Sequence, residues 1–363
     1  MYNNVVDLFD GNFDTRYTEN ITGQHPNKMF SMFKSETSHN GVLYSCERVC
    51  INRVNGLICK RSDEDVSRMV GFDIKAEDPR LIICNEKVYI VFNRSRSNSL
   101  FPRCMALSEF DNWNPITLEI KEFSEENHHK NEKNWSPFVK CGTLYFVYNL
   151  DPLIILTYDF NPEGECTIIH PVNIDKDPSY YVDGTYIRGG SNLIRYQGDY
   201  YIGAFHSRLL NKHITIYYTH IVILDTKDFE FKVVYLSKPI ALRHERQDTF
   251  IAQGPYDYNE WYQLKYLREI LLPFGRIPIN TSPCSILSPC SIYKVNETLY
   301  MTVNIQDSIT LRYELRVNNA VLEEPQKDIP ENLNDFTKQS LENIISIFPI
   351  RTNRKKTKVC YFV

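Results

Sequence analysis

The sequence predicts an all-β protein: a five-bladed β-propeller with a helical insertion before the last blade and a C-terminal helix. Three observations carry that expectation. Short runs of Val, Ile, Tyr and Thr recur between turn residues, and 24 Tyr and 20 Phe bring the aromatic share to 13%, a composition suited to half-buried pleated surfaces. A hairpin unit repeats along the chain. Two stretches break the strand pattern with a helical apolar period, one between the fourth and fifth units and one after the last.

Each unit reads as a tight-turned opening, a short strand, a polar turn and an apolar strand, which is the inner hairpin of a propeller blade. Met29 to Glu36, followed by Gly41 to Tyr44, is the first copy. Asp78-Pro79-Arg80 then leads through a turn at Asn85 to the apolar run Val88 to Phe92. Ser136-Pro137-Phe138 leads through Cys141-Gly142 to Leu144 to Tyr148. Gly189-Gly190 leads through Gln197-Gly198 to Tyr200 to Ala204, and Ser288-Pro289 leads through Asn296 to Leu299 to Val303. Residues 1–28 precede the repeat as an N-terminal extension, and residues 29–325 make the propeller.

In the gap before the fifth unit, Trp261, Leu264, Leu267 and Leu271 fall on one helical face that Pro273 ends, so about 257–273 is an inserted helix. Leu333, Phe336, Leu341, Ile344, Ile345 and Phe348 form a second face between Pro330 and Pro349, which makes 326–363 a C-terminal helix with a basic tail. Cys360 to Val363 has the spacing of a prenylation box without its usual aliphatic pair, and the tail reads as solvated chain.

Composition narrows the function classes. Apolar residues are 42% and charged residues 24%, enough for a large core. Lys plus Arg is 41 against 45 for Asp plus Glu, a balance that excludes a general nucleic-acid binder. No apolar run approaches the roughly 18 residues a transmembrane helix needs, and the start shows neither the basic nor the apolar region of a secretory signal. Ten cysteines lie scattered with no Cys-x-x-Cys pair, several in apolar runs, as reduced thiols of a cytoplasmic protein would. The sequons at Asn20, Asn93, Asn280 and Asn296 then carry no weight.

In a propeller the inner strands begin near the axis, so the residues that open each blade converge. They are Glu36, then Glu77 to Arg80, then Asn134-Trp135, then Arg188-Gly189, with Asp307 after the fifth inner strand and His206 at the end of the fourth. Carboxylates, guanidinium groups and an aromatic ring gathered from distant positions are the chemistry of a sugar site. Rings stack on sugar faces, and charged groups grip hydroxyls and phosphates.

Glu77-Asp78-Pro79-Arg80, Asn134-Trp135-Ser136-Pro137-Phe138, Leu144 to Tyr148, Arg188-Gly189-Gly190-Ser191 and Gly203 to His206 occur in one order. With them the chain, from about residue 28 to about 315, resembles the five-bladed mannoside phosphorylases of glycoside hydrolase family 130. It is also similar to the β-1,2-mannosyltransferases related to them. The resemblance implies an inverting glycosyltransferase or phosphorylase acting on β-mannoside-type linkages, with Asp78 handling the proton of the glycosidic oxygen. It implies a cationic cradle for phosphate, for which Arg80, Arg94, Arg188, His206 and His220 are the candidates, Arg94 standing where related enzymes place a phosphate ligand. Carbohydrate acceptor and phosphate, a sugar 1-phosphate or a sugar nucleotide are the expected partners. No cofactor or metal is expected, because arginine and histidine hold the charge of a phosphate leaving group.

Inverting hydrolysis uses a second carboxylate roughly 6.5–9.5 Å from the acid to activate water. The third and fourth blade openings carry none, so transfer is favoured, while Glu36 and Asp307 keep hydrolysis open. Glu165-Cys166 matches an acid motif of the invertase and arabinanase clan but sits in a turn between outer strands, and is discounted. Bland roles stand beside these: Asp78 as a turn residue, Arg80 paired with its acidic neighbours, Trp135 as core, Gly189 and Gly190 as backbone devices, His206 as a structural histidine. A non-catalytic carbohydrate-binding propeller is the remaining alternative.

Overall fold

The computed structural model describes residues 12–22, 29–52, 54–95, 103–122, 132–170, 187–211, 214–240, 242, 287–305 and 309–318. Among these the chain is all-β, and the strands fall into five consecutive antiparallel groups. The first is β2 (Met29–His39), β3 (Val42–Ile51), β4 (Val54–Arg61) and β5 (Arg68–Val70). The second is β6 (Glu77–Cys84), β7 (Lys87–Ser95), β8 (Arg103–Glu109) and β9 (Ile116–Ile120). The third is β10 (Ser136–Lys140), β11 (Thr143–Leu150), β12 (Leu153–Tyr158) and β13 (Glu165–His170). In the fourth, β14 (Ile187–Arg188) and β15 (Leu193–Gln197) both pair with β16 (Tyr200–Asn211), followed by β17 (Ile214–Asp225) and β18 (Lys232–Leu236). The fifth is β19 (Leu287–Val295), β20 (Thr298–Ile305) and β21 (Ile309–Val317), completed by β1 (Phe13–Asn20).

That last pairing runs from Phe13 opposite Val317 to Asn20 opposite Leu311. Part of the expected N-terminal extension is therefore an outer strand of the last sheet. Phe13 and Thr15 are buried and Asp14 and Arg16 exposed, the alternation of a strand with one covered face.

The repeated hairpins form as their turn residues dictate. Asn40-Gly41, Asn85-Glu86 and Cys141-Gly142 all have positive φ, the backbone of a tight two-residue turn whose twist matches its strands. The first strands of the groups are tied to one another by side chains. Leu81 N donates to Ser35 Oγ at 3.1 Å, Glu36 N to Ser291 Oγ at 3.0 Å, and Gly190 N to Ser136 Oγ at 3.1 Å. Asn192 accepts from Ile292 N at 3.0 Å and donates to Ile292 O at 2.9 Å. Arg80 links β6 to Asn134, ahead of β10, at 3.3 Å, and so completes a circuit through all five groups.

Neighbouring sheets bury their faces against each other. One cluster joins the first two groups around Leu57, Leu81 and Phe92, and another joins the second and third around Trp135, Phe146 and Leu156. The third and fourth meet around Phe138 and Phe205, the fourth and fifth around Ile221 and Tyr313. The second and third groups also join at their outer edges, where β13 runs parallel to β9 with Cys166 opposite Ile120. Gly164 permits this approach, since a Cβ there would lie 1.9 Å from Thr117 O. The expected helices at 257–273 and 326–363, and Asp307, lie outside the described residues.

Candidate active site

β6 starts with a bulge. Glu77 pairs with Asn93 and Arg80 with Val91, so β6 carries one residue more than β7 across this step. Pro79 has no N–H for the ladder, which favours a bulge here, and Asp78 takes a left-handed φ of 53°. The Asp78 carboxylate, 19% exposed, receives Arg48 Nη1 on Oδ1 at 3.0 Å and Asn93 Nδ2 on Oδ2 at 3.2 Å. Glu77 beside it is buried and lies 3.2 Å from Arg48 Nη1 and 2.7 Å from Arg103 Nη2.

These neighbours separate the two carboxyls electrostatically. Burial alone raises the Asp78 carboxyl, but Arg48, Arg80, Lys133 and Arg103 outweigh it and hold Asp78 below the ordinary carboxylate range. Glu77 is pushed up, by burial first and by the Asp78 charge, against the pull of Arg48 and Arg103. Asp78 is thus ionised near neutrality. Lys133, whose surface remains exposed, belongs to the same field: the protein crowded around it pulls its ammonium down while Asp78 supports its charge.

Arg80 is 1% exposed. Its Nη1 donates to Asp78 O at 3.1 Å, its Nη2 to Asn134 Oδ1 at 3.3 Å and its Nε to Gly190 O, and its guanidinium lies over the Phe33 ring. With every nitrogen engaged, Arg80 is a strut between three groups and lends the Asp78 carboxylate only its charge. The glycines serve the same junction. A Cβ on Gly189 would lie 2.0 Å from Asn134 O, and one on Gly190 2.5 Å from Ala204 O. Asn134 itself holds a φ of 66°.

His206 stands opposite Arg188 in the β14–β16 pair. Burial, then Arg188, Arg80 and Lys133, push its imidazole down to about 3, so it is neutral near pH 7. Its buried Nδ1 has no hydrogen-bond partner among the described residues, and its ring packs on Tyr217. A neutral imidazole in that position can meet a sugar hydroxyl as donor or acceptor.

Other expected ligands are committed elsewhere. His220 is wholly buried: Nδ1 donates to Ser237 O at 2.9 Å, which leaves Nε2 to accept from Ser207 Oγ at 2.7 Å. It keeps no nitrogen for a phosphate. Arg94 Nη1 donates to Thr117 Oγ1 of β9 at 3.2 Å, and side chains alternate along a strand, so its neighbour Asn93 faces Asp78 instead. Trp135 is 1% exposed, its indole N–H bonded to Glu132 at 3.0 Å and its ring edge-on to Phe146 and Tyr148. It is core, with no face for a sugar. Glu36, 2% exposed, receives Arg312 through Nε and Nη2, each at 2.8 Å, and Tyr293 OH at 2.9 Å.

The structure therefore brings together Asp78, Arg80, Asn134, Arg188, Gly189 and His206, and adds Arg48, Asn93, Arg103 and Lys133. The added cations stand in no motif. The signal available for Asn93 was its position one residue before Arg94, on the opposite face of β7.

No protein-family profile matches the chain. Among solved structures, a glycosyl hydrolase from Bacteroides ovatus superposes with a TM-score of 0.55 at 14% identity, over 84% of this chain and 93% of that one. A β-1,2-mannobiose phosphorylase from Listeria innocua gives 0.51 at 12% identity, over 86% and 99%. Both are likenesses of fold. In sequence, β-mannosyltransferase 3 of Candida albicans is 28% identical over 187 residues, 45% of this chain and 33% of that protein. β-Mannosyltransferase 2 of Komagataella phaffii is 27% identical over 104 residues, 27% of this chain and 16% of that protein. The matched stretches span a third or less of these curated relatives. The two groups that the motifs resemble, mannoside phosphorylases and β-mannosyltransferases, are thus both among the proteins to which the chain is similar.

Proposed function

We propose that the chain is a carbohydrate-active enzyme on a five-bladed β-propeller, in which the five antiparallel groups are the blades. It transfers a mannosyl group with inversion between a sugar hydroxyl and phosphate, and Asp78 moves the proton. The observation that carries this reading is one carboxylate on a bulge, with a single donor on each oxygen among the described residues and further cations around it.

In synthesis, Asp78 takes the proton of the acceptor hydroxyl as that oxygen attacks the anomeric carbon. The bond from this carbon to the phosphate oxygen breaks on the opposite face, and phosphate leaves with the bonding pair towards Arg103, Lys133 and Arg188. An ionised Asp78 suits that direction. In cleavage, a phosphate dianion among the same cations offsets their pull and raises the carboxyl, so that it donates its proton to the glycosidic oxygen. The neutral His206 and Asn134 orient sugar hydroxyls.

Hydrolysis is the weaker reading because it asks for a free second carboxylate, and of the two expected bases Glu36 is taken by Arg312 and Tyr293 while Asp307 lies outside the described residues. The experiment is phosphate release from mannose 1-phosphate with mannose or short β-mannosides as acceptors, with Asp78→Asn alongside. Release and a new β-mannoside, both lost in the variant, are expected. Reaction with a mannosyl nucleotide alone would move the donor class, and cleavage of β-mannobiose by water alone would overturn transfer.

A further inference from the structure

Cys46 on β3 and Cys59 on β4 are directly opposed in the antiparallel register, 13 positions apart in the chain. Their Sγ atoms lie 2.9 Å apart, and both are buried in the cluster that joins the first two groups. The other buried cysteines behave differently. Cys84 donates to Gly142 O, Cys104 to Arg94 O, Cys166 to Gly164 O and Cys290 to Ser288 O. Cys46 and Cys59 face only each other among the hydrogen bonds described. Directly opposed antiparallel residues have Cα atoms about 4.5–5.5 Å apart, inside the span of about 4.4–6.8 Å that a disulfide bridges. The register therefore puts them within the reach of a disulfide.

We propose that Cys46 and Cys59 are an oxidation site that closes to a cross-strand disulfide in the native protein. The oxidant is a small-molecule disulfide such as oxidised glutathione. One thiolate attacks it to give a mixed disulfide, the second protein sulfur displaces the remaining glutathione, and the two thiols end as one S–S bond while two reduced glutathiones carry away the two electrons and protons. Both sulfurs are sealed in the folded sheet, so the exchange belongs to folding, before β3 and β4 pack on β6. The bond then lies out of reach of reductant. Arg48 sits two residues beyond Cys46 on the same face of β3, so the crosslink fixes the hairpin that carries the Asp78 partner. This departs from the expectation of reduced thiols, which rested on the scattered spacing and apolar surroundings of the cysteines and held no information about strand register.

The full chain, unfolded and refolded in a mixture of reduced and oxidised glutathione, is quenched with N-ethylmaleimide in denaturant and digested with trypsin without reductant. Cleavage after Lys34, Arg48, Arg53 and Lys60 places Cys46, Cys50 and Cys59 on three separate peptides. The expected product is Ser35–Arg48 linked to Val54–Lys60, unlabelled at both cysteines. Label on both, or a link from either to a third cysteine, overturns the proposal. A second readout is independent of refolding yield: in protein made in an oxidising compartment, dithiothreitol present through the melt reaches the bond as the sheet opens, lowers the apparent Tm of the wild type and leaves a Cys46→Ala, Cys59→Ala double variant unmoved. The same response in both proteins would also overturn it.

Discussion

Arg48 Nη1 lies 3.0 Å from the Asp78 carboxylate, and the same nitrogen is 3.2 Å from Glu77, so one guanidinium from the first sheet holds two successive carboxylates of the second. Exposed ion pairs contribute little, but this one is mostly enclosed and its main effect is on protonation. It helps keep Asp78 ionised and leaves Glu77 as the carboxyl that is pushed up.

Arg48→Met should therefore move a pH profile before it moves stability. Synthesis needs ionised Asp78, so its rate falls as pH drops through the Asp78 pKa. Without Arg48 that pKa rises, and the acid limb of kcat/KM shifts to higher pH by roughly one unit or more. An unshifted limb with a uniformly raised KM would make Arg48 a substrate ligand instead.

Asp78→Asn keeps the carboxyl's shape and removes its proton transfer. A loss of about 10²–10⁴ in kcat is expected, with the fold intact by circular dichroism and acceptor binding retained by calorimetry. Turnover within a few-fold of wild type would remove Asp78 from the chemistry.

Glu36→Gln separates a structural pair from a catalytic base. Removing one partner of an enclosed ion pair costs about 3 kcal/mol, read by urea unfolding, while kcat per folded molecule stays unchanged. A base for water would show the reverse pattern, with stability kept and hydrolysis lost.

His220 makes stability depend on pH in a definite direction. Burial pushes it down to about 4, against the Ser237 carbonyl that supports its N–H, while in the unfolded chain it titrates near its ordinary value of 6.5. Between those values the unfolded state binds the extra proton, so stability rises with pH across that window. The slope is about 1.4 kcal/mol per pH unit for this residue. Chemical denaturation from pH 7 down to pH 5 should show the fall, and His220→Gln should remove this residue's share of it while His206, also pushed down, keeps its own.

Gly189→Ala tests the junction behind the site. The added methyl meets Asn134 O at 2.0 Å, and relief must move the segment that receives Arg80. A destabilisation of about 1–3 kcal/mol is expected, together with a fall in kcat, because the shift carries Asn134 and Lys133 with it. A stable variant with full activity would show that the opening of β10 can give way freely.

What was legible in the chain was local. The hairpins of β2–β3, β6–β7, β10–β11, β15–β16 and β19–β20 announce themselves because turn and alternating strand lie within about a dozen residues of one another. Asp78 was legible because the Asp-Pro step marks a strand opening. Arg48, Arg103 and Lys133 were not, since β3, β8 and the segment ahead of β10 must meet before their charges add. Arg94 and Asn93 show a subtler limit: charge drew attention to the arginine, while register turned the asparagine inward. Trp135 misled for the opposite reason, as an aromatic beside a motif that turned out to have its indole nitrogen satisfied by Glu132 inside the core.

The pairing of β1 with β21 also sets a schedule. Phe13–Asn20 is made well before its partner Ile309–Val317, and Thr18 donates to the carbonyl of Arg312 across 294 positions. The sheet that holds β1 cannot close on the ribosome before β21 has emerged. Such long-range closure slows folding and concentrates it at the end. A nascent chain halted anywhere short of β21 holds one strand in waiting and a sheet with an open edge, the state in which an intruding strand from another chain competes best.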